Sequence, residues 1–389
     1  MDKTFEVTIL GTSGGPIDGN NQSFMVRPAF SKELNSINVD GGVVISQIIE
    51  LVKYMKRSVM NIHEGSDGLV ESFYENDMEH ERLFTNPFHD CQKGFGTNFI
   101  KLVIEKLNLD RSNIDSINIM RVSLQIYEKI KEYYVTHAHL DHISAIVLNT
   151  PYIYSKAYSN KTMKICGLPF VIDALDEHIF NDKIWPNLTA EKDGRLELVK
   201  LENKQCSQIK SIPQFSIIPF TVCHGQSVSN ETVPVYSTVF VLNDKISNNT
   251  LVICGDLQHD PPTERLNKIS NVWKYLADYV KPQSLSGIII ECSSTSIVRD
   301  CQLYGHLSPP LLIEEMISLR DMYCKKYNTT KPLIDKILKL NLIVTHVKME
   351  NMDKDPRLII LEELNELKEA HDMTNLHISI SLQGYTYLL

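Results

Sequence analysis

The chain has 389 residues, 43% of them apolar and 22% charged, which provides for a large packed core and excludes a disordered polyelectrolyte. A formal charge of −9, with no cluster of lysine and arginine, excludes the basic footprint of a nucleic-acid partner. The opening MDKTFEVTILG lacks the regions of a signal peptide, no apolar run nears the ~20 residues of a membrane span, and the eight cysteines form no Cys-x-x-Cys pair, so a soluble, reducing compartment, the cytosol, is expected.

In chain order, β-rich runs come first, at Phe5 to Leu10, Ser23 to Arg27 and Ser36 to Asp40, and the glycine-bearing turns between them make a meander. A helix is predicted from about Val43 to Tyr54, after which residues 61–94 turn acidic and read as an insertion from the core. Helical patterns over Asn98 to Leu107 and Ile117 to Ile130 precede a strand at Tyr133 to Val135. The run ISAIVLN, from Ile143, continues as a helix, and Met163 to Cys166 returns as a strand. Further strands are expected at Leu196 to Leu201, Phe215 to Cys223, Val235 to Leu242, Thr250 to Cys254, Gly287 to Glu291, Leu342 to Thr345 and His377 to Leu382. Helices are expected at Val171 to Phe180, Glu264 to Val280, Pro310 to Tyr327 and Arg357 to His371. With helices spread through both halves and no Pro/Ser-rich linker, residues 1–389 read as one α/β domain, a four-layer αββα sandwich.

One segment constrains the chemistry more than any other. Val135 to His142 places three imidazoles and one carboxylate in eight residues, between a strand and a helix. Side chains of an extended chain repeat every second residue, so His137 and His139 share a side, while Asp141 and His142 fall at the turn into the helix. That pattern suits two metal ions, with nitrogen and oxygen donors of the kind zinc accepts.

A two-metal site needs further ligands, and three residues follow strands of buried character: His224, Asp256 and His346. An aspartate at 256 can bridge two cations with its two oxygens and offset their repulsion. Asp40, followed by two glycines, suits a carboxylate that holds a ligand histidine's other N–H, with an ordinary turn aspartate as the competing reading. Glu291 and His306 form a further pair, His306 lying just before a helix start near Ser308 or Pro309 where an anion would be attracted. Gly11 to Gly15 has neither a P-loop nor a GxGxxG pattern and reads as a tight turn lining the site. Histidines 63, 80, 89, 178, 259, 371 and 377 lack matching partners and read as structural or solvated.

These residues resemble the metal-binding set of the metallo-β-lactamase superfamily, and within it the class II cyclic-nucleotide phosphodiesterases, with their low-affinity cyclic-AMP members from budding yeasts the nearest in pattern. The segments HAHLDHISAIVLNTP, TILGTSGGP, VDGG, IWPNLTAE, PVYST, ICGD, ECSS, QLYGHLSP, VTHVK, DPRLIILEEL and LHISISLQG carry the likeness, which is poorest over residues 61–94. The resemblance implies an αββα fold, two metal ions, usually zinc, and hydrolysis of 3′,5′-cyclic AMP to 5′-AMP that damps cyclic-AMP signalling. It assigns His137, His139 and His224 to one metal, and Asp141, His142 and His346 to the other, with Asp256 bridging. Together with the apolar carboxy-terminal strand, it also implies a homodimer.

Two adjacent cations bring the pKa of a water toward about 7, which supplies a nucleophile for in-line attack on phosphorus. Asp141 can orient that water or take its proton, and Asp141 or His306 can protonate the departing 3′ oxygen; the sequence leaves both open. Two other functions compete. A tRNA 3′-end nuclease of the same superfamily would share the ligands, but the acidic charge and the lack of a Gly/Pro-rich arm disfavour it. A non-catalytic scaffold would have lost ligands, and every ligand is present.

Overall fold

The computed structural model describes residues 3–59, 84–85, 90–109, 117–155, 162–189, 195–260, 268–349 and 353–389. Most of the acidic insertion expected at 61–94 lies outside them, as do His63, His80 and His89.

Two sheets face each other. The first comprises β1 (Phe5–Gly11), β2 (Ser23–Pro28), β3 (Ser36–Val39), β4 (Asp90–Lys93), β5 (Ile130–Tyr134), β6 (Met163–Gly167) and β7 (Leu196–Lys200), joined by β15 (Tyr385–Leu388) from the other end of the chain. Its spatial order is β4-β15-β1-β2-β3-β5-β6-β7. The second comprises β8 (Ser207–Gln208), β9 (Phe215–Ser227), β10 (Asn230–Asp244), β11 (Thr250–Cys254), β12 (Leu285–Glu291), β13 (Asn341–Thr345) and β14 (His377–Ile380), in the reverse order β14 to β8. The expected meander is present as β1-β2-β3, antiparallel throughout, whereas β3-β5-β6-β7 and β11-β12-β13-β14 are parallel.

Nine described helices cover the sheets: α1 (Ile45–Val59), α2 (Thr97–Lys106), α3 (Ile119–Tyr127), α4 (Leu140–Asn149), α5 (Pro169–Ala174), α6 (Ser270–Tyr279), α7 (Pro309–Tyr327), α8 (Lys331–Leu338) and α9 (Pro356–Ala370). In α1 the buried Ile48, Leu51, Val52 and Met55 form one stripe, the spacing that lets a helix lie on a sheet.

Strand alternation divides the interior into three cores. In β12, Ile289 enters the layer between the sheets, while Ile288 and Ile290 face α6 and α7. Likewise Phe24 and Val26 of β2 point inward and Met25 meets α1. Strands β10 to β13 are therefore apolar on both faces, and fully burying one such side chain contributes about 1.5–3 kcal/mol. Helix, sheet, sheet and helix thus form the four layers expected.

Several boundaries differ from expectation. Two strands are longer: β9 runs on to Ser227, and β10 begins at Asn230. The helix expected over Val171 to Phe180 ends at Ala174 and continues as one wider turn, Leu175–Ile179. The helix expected from Glu264 is described from Ser270, with residues 261–267 outside the described set.

Candidate metal centre

The ends of the parallel strands deliver the polar residues to one rim of the sandwich. After β5, Val135 to Ala138 lead to His139, which has extended backbone at the N-cap position of α4, so Asp141 and His142 occupy its first turn. A carboxylate there is favoured by the helix dipole. Asp256 follows β11, His346 follows β13, Asp40 follows β3, and Glu291 is the last residue of β12. Asp40 (φ 55°) and His346 (φ 61°) both hold left-handed backbone, a strained state that such sites retain when the surroundings over-determine it.

His224 differs from expectation, for it sits inside β9. Opposite it the register slips between the Cys223–Tyr236 and Gln226–Pro234 pairs, and Gly225 takes φ +78°. That bulge aims the imidazole at the rim. The tight turn at Gly11 to Gly15 backs onto His346: a Cβ at Gly14 would lie 2.4 Å from the His346 ring, so only glycine fits. The same turn accepts the His346 N–H at the Thr12 carbonyl, 2.7 Å away.

Two four-donor groups result. His137, His139, His224 and Asp256 form one, and Asp141, His142, Asp256 and His346 the other; within each group the donor atoms lie within 4.8 Å of one another. Asp256 belongs to both. Its Oδ2 is 3.6 Å from His137 Nε2, 3.8 Å from His224 Nε2 and 3.2 Å from His346 Nε2, and its Oδ1 is 3.3 Å from His142 Nε2. Asp141 Oδ2 stands 3.2 Å from His346 Nε2. His139 is exposed and Asp141 half-buried, while the other five are buried, so the centre opens to solvent on the side of α4.

The donor chemistry fits cations. His142 Nδ1 lies 2.8 Å from Asp40 Oδ2, and His224 Nδ1 lies 2.9 Å from the Gly305 carbonyl. Those partners only accept, so Nδ1 carries the hydrogen and the Nε2 lone pair faces inward. Inward-facing nitrogens then crowd one another: His142 and His346 Nε2 are 3.3 Å apart, and His137 Nε2 is 3.0 Å from His139 Nδ1. The buried Asp256 Oδ1 has no hydrogen bond. Converging lone pairs repel unless positive charge lies among them, and nitrogen with carboxylate oxygen is a divalent-metal donor set.

Electrostatics agree. Burial holds the His137 and His139 pKa values down and brings His224 to about 4, so those rings are neutral. At His142 burial acts in the same direction, but the carboxylates of Asp256 and Asp40 outweigh it and raise the pKa well above the usual range, so that in the absence of a cation a proton on Nε2 takes the place beside Asp256 that a metal ion would take. Burial raises Asp256, but His346 and His142 outweigh it and keep the carboxyl ionised.

Asp40 and Glu291 stand behind the donors. Asp40 accepts from Thr136 N at 2.8 Å and Gln22 Nε2 at 3.2 Å besides His142. Glu291 accepts from Leu257 N at 2.7 Å and from His306 Nδ1 at 2.9 Å. A third group, His224, Glu291 and His306, lies within the same distance limit, but the hydrogen bond between Glu291 and His306 already joins two of its members. Burial lowers the His306 pKa, but Glu291 outweighs it and raises it. The hydroxyls of Thr136 and Ser293, which sequence reasoning passed over, touch both carboxylates and rings. His178 is exposed, and His259 pairs with Glu315 at 2.7 Å, apart from the metal-donor groups.

Residues 37–384 match the family of class-II cAMP phosphodiesterases. The chain is 40% identical to 3′,5′-cyclic-nucleotide phosphodiesterase 1 of Saccharomyces cerevisiae, over 99% of both chains. It is 26% identical to a 3′,5′-cyclic-nucleotide phosphodiesterase of Candida albicans, over 99% of this chain and 100% of that one. The crystal structure of unliganded yeast PDE1 superposes with a TM-score of 0.86 at 37% identity, covering 100% of each chain. A family match of this extent places the chain among the cyclic-nucleotide phosphodiesterases and not among the tRNA 3′-end nucleases. The chain belongs to the class-II cAMP phosphodiesterases, which are hydrolases.

Proposed function

We propose that this chain hydrolyses 3′,5′-cyclic AMP to 5′-AMP at the rim of the sandwich, using two divalent ions, zinc by the character of the donors. The observation that carries the reading is the pair of four-donor groups sharing Asp256. His137, His139 and His224 would hold one ion and Asp141, His142 and His346 the other, with Asp256 common to both. When bound, such ions polarise phosphoryl oxygens and bring the pKa of a water toward about 7.

The chain's own groups do the rest. Asp141, the half-buried carboxylate on the open side, orients the attacking water and accepts its proton. Glu291 fixes His306 through Nδ1, which leaves Nε2 to meet the substrate. From Nε2 a proton passes to the departing 3′ oxygen as the P–O3′ bond breaks and the new P–O bond forms. Asp40 and Glu291, both fully buried, hold imidazoles in place. No described helix is long and apolar enough to cross a membrane, and Cys166, Cys254 and Cys292 are buried thiols in no disulfide, which suits the cytosol.

Steady-state hydrolysis of cyclic AMP and cyclic GMP by zinc-loaded protein, with the product identified, tests this. The expected product is the 5′-monophosphate. A 3′-monophosphate would overturn the attack geometry, and no turnover of either nucleotide would overturn the function.

A further inference from the structure

Two buried carboxylates, one from each sheet, repeat one construction. Asp40 receives Nδ1 of His142 directly and reaches His137 through the Thr136 hydroxyl. Glu291 receives Nδ1 of His306 directly and reaches His346 through the Ser293 hydroxyl.

A hydroxyl has one hydrogen, so its neighbours fix its polarity. Thr136 Oγ1 lies 2.9 Å from Asp40 Oδ2 and 3.0 Å from Oδ1, and Ser293 Oγ lies 2.6 Å from Glu291 Oε2. A carboxylate with this many donors only accepts, so each hydroxyl donates to its acid. What remains for the imidazole is a lone pair. His137 Nδ1 stands 3.1 Å from Thr136 Oγ1, and His346 Nδ1 stands 3.0 Å from Ser293 Oγ. Each ring must therefore carry its hydrogen on Nδ1, which leaves Nε2 bare toward Asp256. Ser293 Oγ also lies 3.2 Å from His306 Nδ1, whose hydrogen goes to the nearer Glu291 Oε1. Thr136 is 0% and Ser293 1% exposed, so bulk water does not compete for these bonds.

We propose that Thr136 and Ser293 are positioning residues, hydroxyl relays that each hold one imidazole in its metal-ligating tautomer. Thr136 serves the ion held by His137, and Ser293 the ion held by His346. The relays rest on the metal-centre reading above, and the test separates the two ideas.

Metal-free protein is titrated with Zn²⁺ against a chromophoric chelator. Wild type takes up two equivalents; if it takes up none, the metal-centre reading itself falls. Thr136→Val keeps the shape and loses the hydroxyl, and Ser293→Ala removes the other one. Each weakens one equivalent by roughly 10- to 100-fold and leaves the second unchanged, as lost outer contacts do. The double variant weakens both, and Thr136→Ser, which restores a hydroxyl in a smaller side chain, binds as wild type. Unchanged affinity for both ions in the single variants, or the same loss in Thr136→Ser as in Thr136→Val, would overturn the relay.

Discussion

His306 and Asp256 stand 3.9 Å apart, from Nδ1 to Oδ2, yet their tasks separate cleanly. Asp256 belongs to both four-donor groups, so Asp256→Ala leaves each with three donors and removes the charge that offsets cation repulsion. That variant is expected to lose its metal and nearly all turnover. His306 belongs to neither group and is tied by Nδ1 to Glu291, so His306→Ala keeps both metals and loses about 10²- to 10⁴-fold in kcat. Metal content of the purified variants, beside kcat, checks both, and a metal-replete His306→Ala protein with full activity would remove His306 from the mechanism. The seven residues expected as ligands stand out in the sequence because each is a His or Asp near the end of a buried strand, and the fold brings all seven side chains together, whatever they hold. Thr136 and Ser293 were not. A single hydroxyl carries no periodic signal, and Thr136 acquires its meaning only when Asp40, 96 positions away, closes onto it.

At the scale of elements, β1 and β2 carry a charge pair where apolar residues would be expected. Glu6 and Arg27 are register partners, with Arg27 Nη1 2.8 Å from Glu6 Oε2 and both side chains 1% exposed. Arg27 also donates to the Glu33 carbonyl at 3.0 Å and lies over the Phe99 ring of α2. Burial pushes Glu6 up to about 6 even against the arginine, which shows how strongly desolvation opposes the pair. Removing one partner strands the other, so Arg27→Met is expected to cost about 3–5 kcal/mol, and Arg27→Met with Glu6→Leu to recover most of it. Urea unfolding of the two variants measures the difference; equal losses would show that Arg27 acts through packing on Phe99 and not through Glu6. Sequence pattern located the inner strands because a strand buried on both faces is a continuous apolar run. It missed β4, β8, β15 and α8. Of these β8 has two residues, and β15 pairs with β1 across the whole chain, so nothing local announces either.

For the molecule as a whole, the decisive arrangement is that the candidate metal donors straddle the two sheets. His137, His139, Asp141 and His142 follow β5 of the first sheet, while His224, Asp256 and His346 come from β9, β11 and β13 of the second. The four layers were legible from strands grouped with helices in both halves, but the facing of the two rims was not, since it depends on how the middle core packs Phe5 and Ile9 against Phe215 and Ile253. Ions at the rim would therefore act as clamps between the sheets as well as reagents. A ligand that binds only the folded state stabilises it by RT ln(1 + [L]/Kd), about 4 kcal/mol at a free concentration 1,000 times Kd. Chelation is thus expected to lower the melting temperature of the wild type, and re-addition of zinc to restore it in a concentration-dependent way. Asp256→Ala should melt at the same temperature with and without chelator. Because both sheets share the middle core, residues 1–389 should respond as one unit, with the whole calorimetric transition moving together. Two transitions, only one of them metal-sensitive, would divide the chain into separate folding units and confine the clamp to one of them.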